Sequence, residues 1–194
     1  MLERIFVTGG IVLAGLCGLV PVGHALEVTD LFAMLARVER SSATFEETRT
    51  IAALTVPLVR HGSLHYVRPG RLEMTVDAPI RERILIDGDR LTIAGRNGTK
   101  EILLSDIPAA AAWVESVRAT LSGDALLLGR YFRVRATGEL SQWTLELTPV
   151  EQDASAVVAR MKISGAQAQL SRIEIDERGG DRSVMLIAPA DRKR

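Results

Sequence analysis

The spacing of apolar residues changes several times along this chain, and each change predicts a different element. An apolar run from Ile5 to Val22 comes first. Leu31, Met34, Leu35 and Val38 then fall at helical spacing behind Thr29 and Asp30, which carry helix-capping side chains. From about Thr44 to Leu104 the pattern shortens to strand-like alternation, in Leu64-Tyr66, Leu72-Met74-Val76, Ile84-Ile86 and Leu91-Ile93. Turn chemistry separates these runs: Arg68-Pro69-Gly70, Ala78-Pro79, Asp87-Gly88-Asp89 and Gly95-Arg96-Asn97-Gly98. Links this short join antiparallel neighbours, so a meander is expected.

Asp106 and Pro108 predict a second helix with Trp113, Val114, Val117 and Leu121 on its inner face, broken at Gly123-Asp124. A short, very apolar segment, Ala125-Leu126-Leu127-Leu128, follows. Strands resume at Phe132-Val134, Trp143-Leu145-Leu147, Val157-Val158, Met161-Ile163, Ile173-Ile175 and Val184-Ile187, with Gly179-Gly180 as a hairpin turn. With no internal repeat or linker, the expectation is one α+β domain over residues 26–194, with about ten or eleven strands and three helical segments. Three helices are few for so wide a sheet. The sheet must curl onto itself or enclose a cavity.

Residues 1–25 read as a secretory signal peptide. Arg4 precedes the apolar run, and Gly23-His24-Ala25 places small residues at the −3 and −1 positions of a cleavage site after Ala25. Four glycines and Pro21 in the run count against a membrane anchor. Leu16 before Cys17 counts against lipidation. Cleavage would remove the one cysteine, leaving a chain that suits an oxidising compartment but holds no disulfide. The fold then depends on its core, which 194 residues at 47% hydrophobic can supply. With 24 basic residues against 24 acidic ones, the chain shows no electrostatic footprint for nucleic acid.

Catalytic signatures are missing from the sequence: no G-x-S-x-G, no glycine-rich phosphate loop and no H-E-x-x-H. His61 and His65 are four apart, but in a strand that spacing is roughly 13 Å, too far to share a metal ion. Asp87 and Asp89 flank a turn glycine and read as turn residues. Glu46-Glu47 could supply a general acid, but no second group is placed to complete a site. No enzyme activity, metal or nucleotide cofactor is expected.

One series of residues carries a family resemblance. Leu31, Leu35 and Val38 lie on the first helix and Phe45 opens the first strand. Gly62-x-Leu64-x-Tyr66-x-Arg68-Pro69 follows, then Leu72 and Met74, Pro79, and Asp87-Gly88-Asp89-Arg90-Leu91. In order and spacing, from Asp30 to Ile93, this resembles the LolA family of periplasmic outer-membrane lipoprotein carriers. Glu47 stands where the family often has glutamine, and Met74 where it often has an aromatic. Phe45-Glu46-Glu47, Pro57-Leu58, Arg68-Pro69-x-Arg71-Leu72-Glu73, Leu121-x-Gly123-Asp124, Trp143-x-Leu145 and Gly180-Asp181-Arg182-Ser183-Val184-Met185 resemble a LolA-related subgroup that accompanies aryl-polyene or other acyl-lipid assembly genes.

The resemblance implies an incomplete, half-open antiparallel barrel with a helical lid over an apolar cavity. Its expected lining is Leu35, Phe45, Leu72, Met74, Ile84, Ile86, Leu91, Ile93 and Leu127, with the Ala109–Leu121 helix and Leu126–Leu128 as lid candidates. Arg68 is expected to bond lid carbonyls as a latch. The implied function is a monomeric periplasmic carrier that takes an acylated cargo, lipoprotein or acyl lipid, from an inner-membrane exporter to an outer-membrane acceptor. A sensor or scaffold on the same fold, and a lipid-acting enzyme, are the alternatives.

Overall fold

A computed structural model describes residues 26–150 and 152–190; the expected signal peptide lies outside them. The first helix, α1 (Val28–Leu35), is followed by six strands: β1 (Arg40–Thr50), β2 (Leu58–Val67), β3 (Arg71–Ala78), β4 (Glu82–Asp87), β5 (Arg90–Gly95) and β6 (Gly98–Leu103). A 3-10 turn (Leu104–Asp106) leads into α2 (Pro108–Ser122) and α3 (Ala125–Tyr131). Then come β7 (Phe132–Glu139), β8 (Gln142–Pro149), α4 (Gln152–Val157), β9 (Val158–Ala166), β10 (Gln169–Glu177) and β11 (Arg182–Pro189).

Among the described residues the eleven strands form one antiparallel sheet, ordered β6-β5-β4-β3-β2-β1-β11-β10-β9-β8-β7. It is two meanders, β1 to β6 and β7 to β11, fused where β1 pairs with β11 from Ala43 opposite Pro189 to Thr50 opposite Arg182. The outermost strands, β6 and β7, do not meet, so the barrel stays open. Lys100 and Glu101 on β6, and Arg133 and Arg135 on β7, put charge on these two edges, which discourages pairing with another chain.

One face of the sheet is apolar and carries the helices. Leu31, Phe32 and Leu35 of α1 are buried with Phe45, Val76, Leu128, Trp143, Leu145, Met161 and Ile163 in the main core. A smaller cluster of Ile86, Leu91, Leu104 and Val114 fixes the start of α2 over the β4–β5 hairpin. Gly62 owes its place to a close approach: a Cβ there would come within 1.8 Å of the Thr75 carbonyl oxygen and 3.1 Å of the Phe45 ring.

The expected elements recur with four differences. Thr29 and Asp30 lie inside the first turn of α1, whose N-cap is Glu27, so neither is the cap. Asp30 instead places its carboxylate at the positive end of the helix dipole. β6 is an additional strand, because Gly98-Thr99-Lys100-Glu101 lacks alternation and is exposed at the edge. Val157 and Val158 divide between the end of α4 and the start of β9, and Met161 and Ile163 continue that same strand. Among the described residues the α-helices therefore number four, not three.

Candidate functional site: an apolar cavity under α2

Between the sheet's apolar face and α2 lies a cavity of about 410 Å³, within the size range of small-molecule sites. α2 forms its roof through Ala110, Trp113, Val117 and Leu121. Leu64, Leu72, Met74, Ile84 and Ile86 of β2 to β4 line one side. Leu170, Ile173 and Ile175 of β10, with Met185 and Ile187 of β11, line the other. The alternation that places the ion-paired Glu73, Arg83 and Glu174 on the other face sends these apolar neighbours inward.

Of the residues the sequence nominates, Leu72, Met74, Ile84 and Ile86 line this cavity. Leu35 and Phe45 are fully packed in the main core, and Leu127 is half-buried against it. Leu91 is buried, and Ile93 packs beside it, in the smaller cluster beneath Leu104 and Val114. These five are packed into the two apolar clusters and are not among the residues that line the cavity. Of the two lid candidates, α2 roofs the cavity, whereas in α3 Leu126 is 84% exposed and Leu128 is core. The lining from β10 and β11 was not nominated. Its alternation is as clear as that of β3, but only the long-range β1–β11 pairing brings it to the same wall.

Arg68 occupies a junction between helices. Its Nη2 donates to the carbonyl of Ala36, just past α1, and to that of Ser122, the last residue of α2, at 3.1 Å. Both acceptors are helix-end carbonyls without an intrahelical partner. A guanidinium there also meets the negative ends of two helix dipoles. Glu39 lies 3.7 Å away across Nε. Beside it α2 closes on Gly123, whose φ of 70° is the left-handed conformation glycine favours.

Some 20–25 Å along the sheet, by strand rise, a polar cluster faces the cavity. Glu47 is only 6% exposed. It accepts from Arg60 Nε at 2.8 Å and Nη2, and from Ser183 Oγ at 2.6 Å. Arg60 stands directly opposite it on β2, and Ser183 lies diagonally across on β11. Arg49 continues the row, bonding Glu177 at 3.0 Å. These three donors tie the Glu47 side chain into the wall formed by β1, β2 and β11. Tyr66, 3% exposed, lines the cavity near Arg68. Burial pushes its phenol pKa up, so the group stays neutral.

His61 and His65 are exposed on β2, and His65 Nδ1 lies 3.0 Å from Ser42 Oγ. Among the described residues no three histidine, cysteine or acidic side chains come together as metal ligands. No described helix is long and apolar enough to cross a membrane.

The family described as outer membrane lipoprotein carrier protein LolA-like matches residues 21–194. The chain belongs to the LolA-like family. No curated protein matches it. Among solved structures, this LolA-like chain is similar to a LolA superfamily protein from Nitrosomonas europaea, at 9% identity and TM-score 0.47, over 84% of this chain and 92% of that one. It is also similar to LppX, a Mycobacterium tuberculosis lipoprotein, at 13% identity and TM-score 0.38, over 82% and 93%. A chain of the Pseudomonas aeruginosa MucA/MucB complex is similar at 17% identity and TM-score 0.42, over 84% of this chain and 59% of that one.

Proposed function

We propose that this LolA-like protein is a periplasmic carrier that shelters the acyl chains of a lipoprotein or other acyl lipid in the cavity under α2. It receives cargo from an inner-membrane exporter and yields it to an outer-membrane acceptor as a monomer, exported by a signal peptide cleaved after Ala25. The observation that carries the reading is a cavity with apolar walls, left open in a domain that otherwise packs a continuous core. Such a space has no structural use, since unfilled apolar volume weakens a core by about 24 cal/mol per Å³.

The energetics suit a shuttle. Burying an acyl chain is worth roughly 0.8 kcal/mol per methylene, on the order of 10 kcal/mol for a long chain before ordering costs. Release needs the roof to move. Arg68 ties α2 to α1 by hydrogen bonds, each worth about 1.5–3 kcal/mol to a charged donor, so opening is affordable thermally. The engagement of Glu47 by Arg60 and Ser183 argues against an enzyme working through that carboxylate.

Native mass spectrometry of the protein purified from periplasm tests this. The expected spectrum shows the chain starting at Leu26 with lipid bound in part of the population. Lipid-free protein that also fails to take up a fluorescent fatty acid would overturn the carrier reading.

A further inference from the structure

Twelve large apolar side chains are exposed among the described residues, and seven of them lie at one end of the sheet. Leu54, Val56, Leu58 and Val59 belong to the loop after β1 and the first residues of β2. Ile80 sits in the β3–β4 turn, and Val150 and Val157 bracket the link from β8 to β9. The register brings these connections to the same end: Arg49 stands opposite Leu58, His61 opposite Ala78, Thr50 opposite Arg182 and Val158 opposite Glu177. Single exposed apolar residues scattered over a surface are ordinary. Here they gather on one rim, at the far end of β2 from Arg68.

The β1–β2 loop is the most apolar part of that rim. Residues 51–59 carry no charge, and Val56 is 71% exposed. The loop is fastened at its base, where Ala52 N–H donates to Asp181 Oδ1 at 2.9 Å across the β10–β11 turn. The cavity runs to this same end. Arg49, Arg60, Glu177 and Val157 line it, and their side chains are partly exposed. Arg60 follows Val59 and Arg81 follows Ile80, and such long side chains keep a guanidinium in a polar layer while the stem lies along apolar surface. Arg49 is balanced by Glu177 and Asp181, and Arg60 by Glu47. What the rim offers is therefore apolar contact, with no strong pull on an anionic surface.

We infer that this rim docks on the surface of a lipid bilayer. Leu54, Val56 and Ile80 enter the boundary between headgroups and acyl chains, and the mouth of the cavity faces the membrane. The inference rests on the carrier reading and adds how cargo changes hands: an acyl chain passes between cavity and bilayer without exposing its methylenes to water. The balanced charge makes zwitterionic lipid as good a surface as anionic lipid.

The test is flotation of residues 26–194 with two kinds of vesicle, pure dioleoylphosphatidylcholine and the same lipid mixed with dioleoylphosphatidylglycerol. The unaltered protein is expected to float with both. The Leu54→Gln, Val56→Gln, Ile80→Gln triple variant should bind vesicles roughly tenfold more weakly, yet take up a soluble fluorescent fatty acid as before. Residues 26–194 contain no cysteine, so an environment-sensitive fluorophore can be placed at Leu54→Cys or, at the opposite end, at Leu140→Cys. Only the first should shift to the blue on adding vesicles. No flotation, flotation with the anionic vesicles alone, undiminished flotation of the triple variant, or an equal shift at both labels each overturns the inference. Fatty-acid uptake by the unaltered protein decides the carrier reading separately: uptake without flotation leaves that reading standing, and its absence overturns both.

Discussion

Arg68 and Glu47 are the two charged residues on which the walls of the cavity turn, and each makes a testable claim. Arg68→Leu removes the bonds to Ala36 and Ser122 and leaves two helix C-termini without a cation. A stability loss of about 2 kcal/mol is expected from denaturant unfolding. Uptake of a fluorescent fatty acid should survive, while transfer to acceptor vesicles should slow. Arg71→Leu should change neither, because Arg71 pairs with Asp87 on the outer face; equal transfer by all three proteins contradicts the latch. Glu47→Leu strands the Arg60 guanidinium and the Ser183 hydroxyl beside the cavity. About 2–3 kcal/mol should be lost in the same unfolding measurement, and Glu47→Gln, which keeps an acceptor, should lose less. A neutral Glu47→Leu would show that the cluster is solvated. The position of Arg68 was legible in the Arg-Pro pair before β3. The Glu47 cluster was not, because its members lie 13 and 136 residues away along the chain.

Elements were easier to read than the space between them. Alternation in β3 and β4 correctly separates Leu72, Met74, Ile84 and Ile86 from their polar neighbours, but it runs on identically into Leu91 and Ile93. Whether an inward side chain meets a helix or a void depends on where α2 settles, and no local pattern encodes that. α2 is stopped by Gly123, where a Cβ would come within 2.4 Å of the Phe32 carbonyl oxygen and 2.6 Å of Ala36. Gly123→Ala therefore combines a left-handed φ with a clash against α1, and its melting temperature should fall by several degrees, for a loss of about 2 kcal/mol or more. An unchanged value would mean that the α1–α2 junction is loose. The outer faces of the strands make a second, electrostatic claim. Hydrogen bonds from Arg83, Lys162 and Arg172 hold Glu73, Glu146 and Glu174 below the ordinary glutamate value of 4.5. Carboxylates depressed in the folded state stabilise it above their unfolded pKa, and that contribution disappears as pH falls through the folded one. Thermal stability should be level from about pH 7 to 5 and decline below about 4.5. Arg83→Gln should make the decline shallower, and an identical acid profile would remove Glu73 from the account.

At the scale of the whole molecule, the design is two meanders that share one seam and one roof. The β1–β11 pairing unites the chain's first and last strands, and α2 spans the concavity that results. Strand count followed from the alternation along the chain, while openness came from the family resemblance, because about ten or eleven strands with few helices left a curled sheet and an enclosed cavity equally open. The seam did not follow, because pairing between strands 140 residues apart leaves no local trace, and with it went half the cavity wall. A fold that keeps apolar volume empty gives up stability for capacity, and that trade can be reversed. Leu64 on β2 and Ile187 on β11 face the cavity from the two strands flanking β1, opposite Ala43 and Phe45 respectively. Leu64→Phe with Ile187→Phe should fill part of the space without disturbing Arg68 or Glu47. The lipid-free protein is then expected to melt a few degrees higher, because about 1–2 kcal/mol of added burial shifts the midpoint of a domain this size by roughly 2–4 °C per kcal/mol. Affinity for the fluorescent fatty acid should fall more than tenfold, since the acyl chain and the new rings compete for one volume. The two effects must come together. A variant that melts higher yet binds lipid as before would place the ligand outside this cavity, and one that melts lower would mean the walls are already closely packed there.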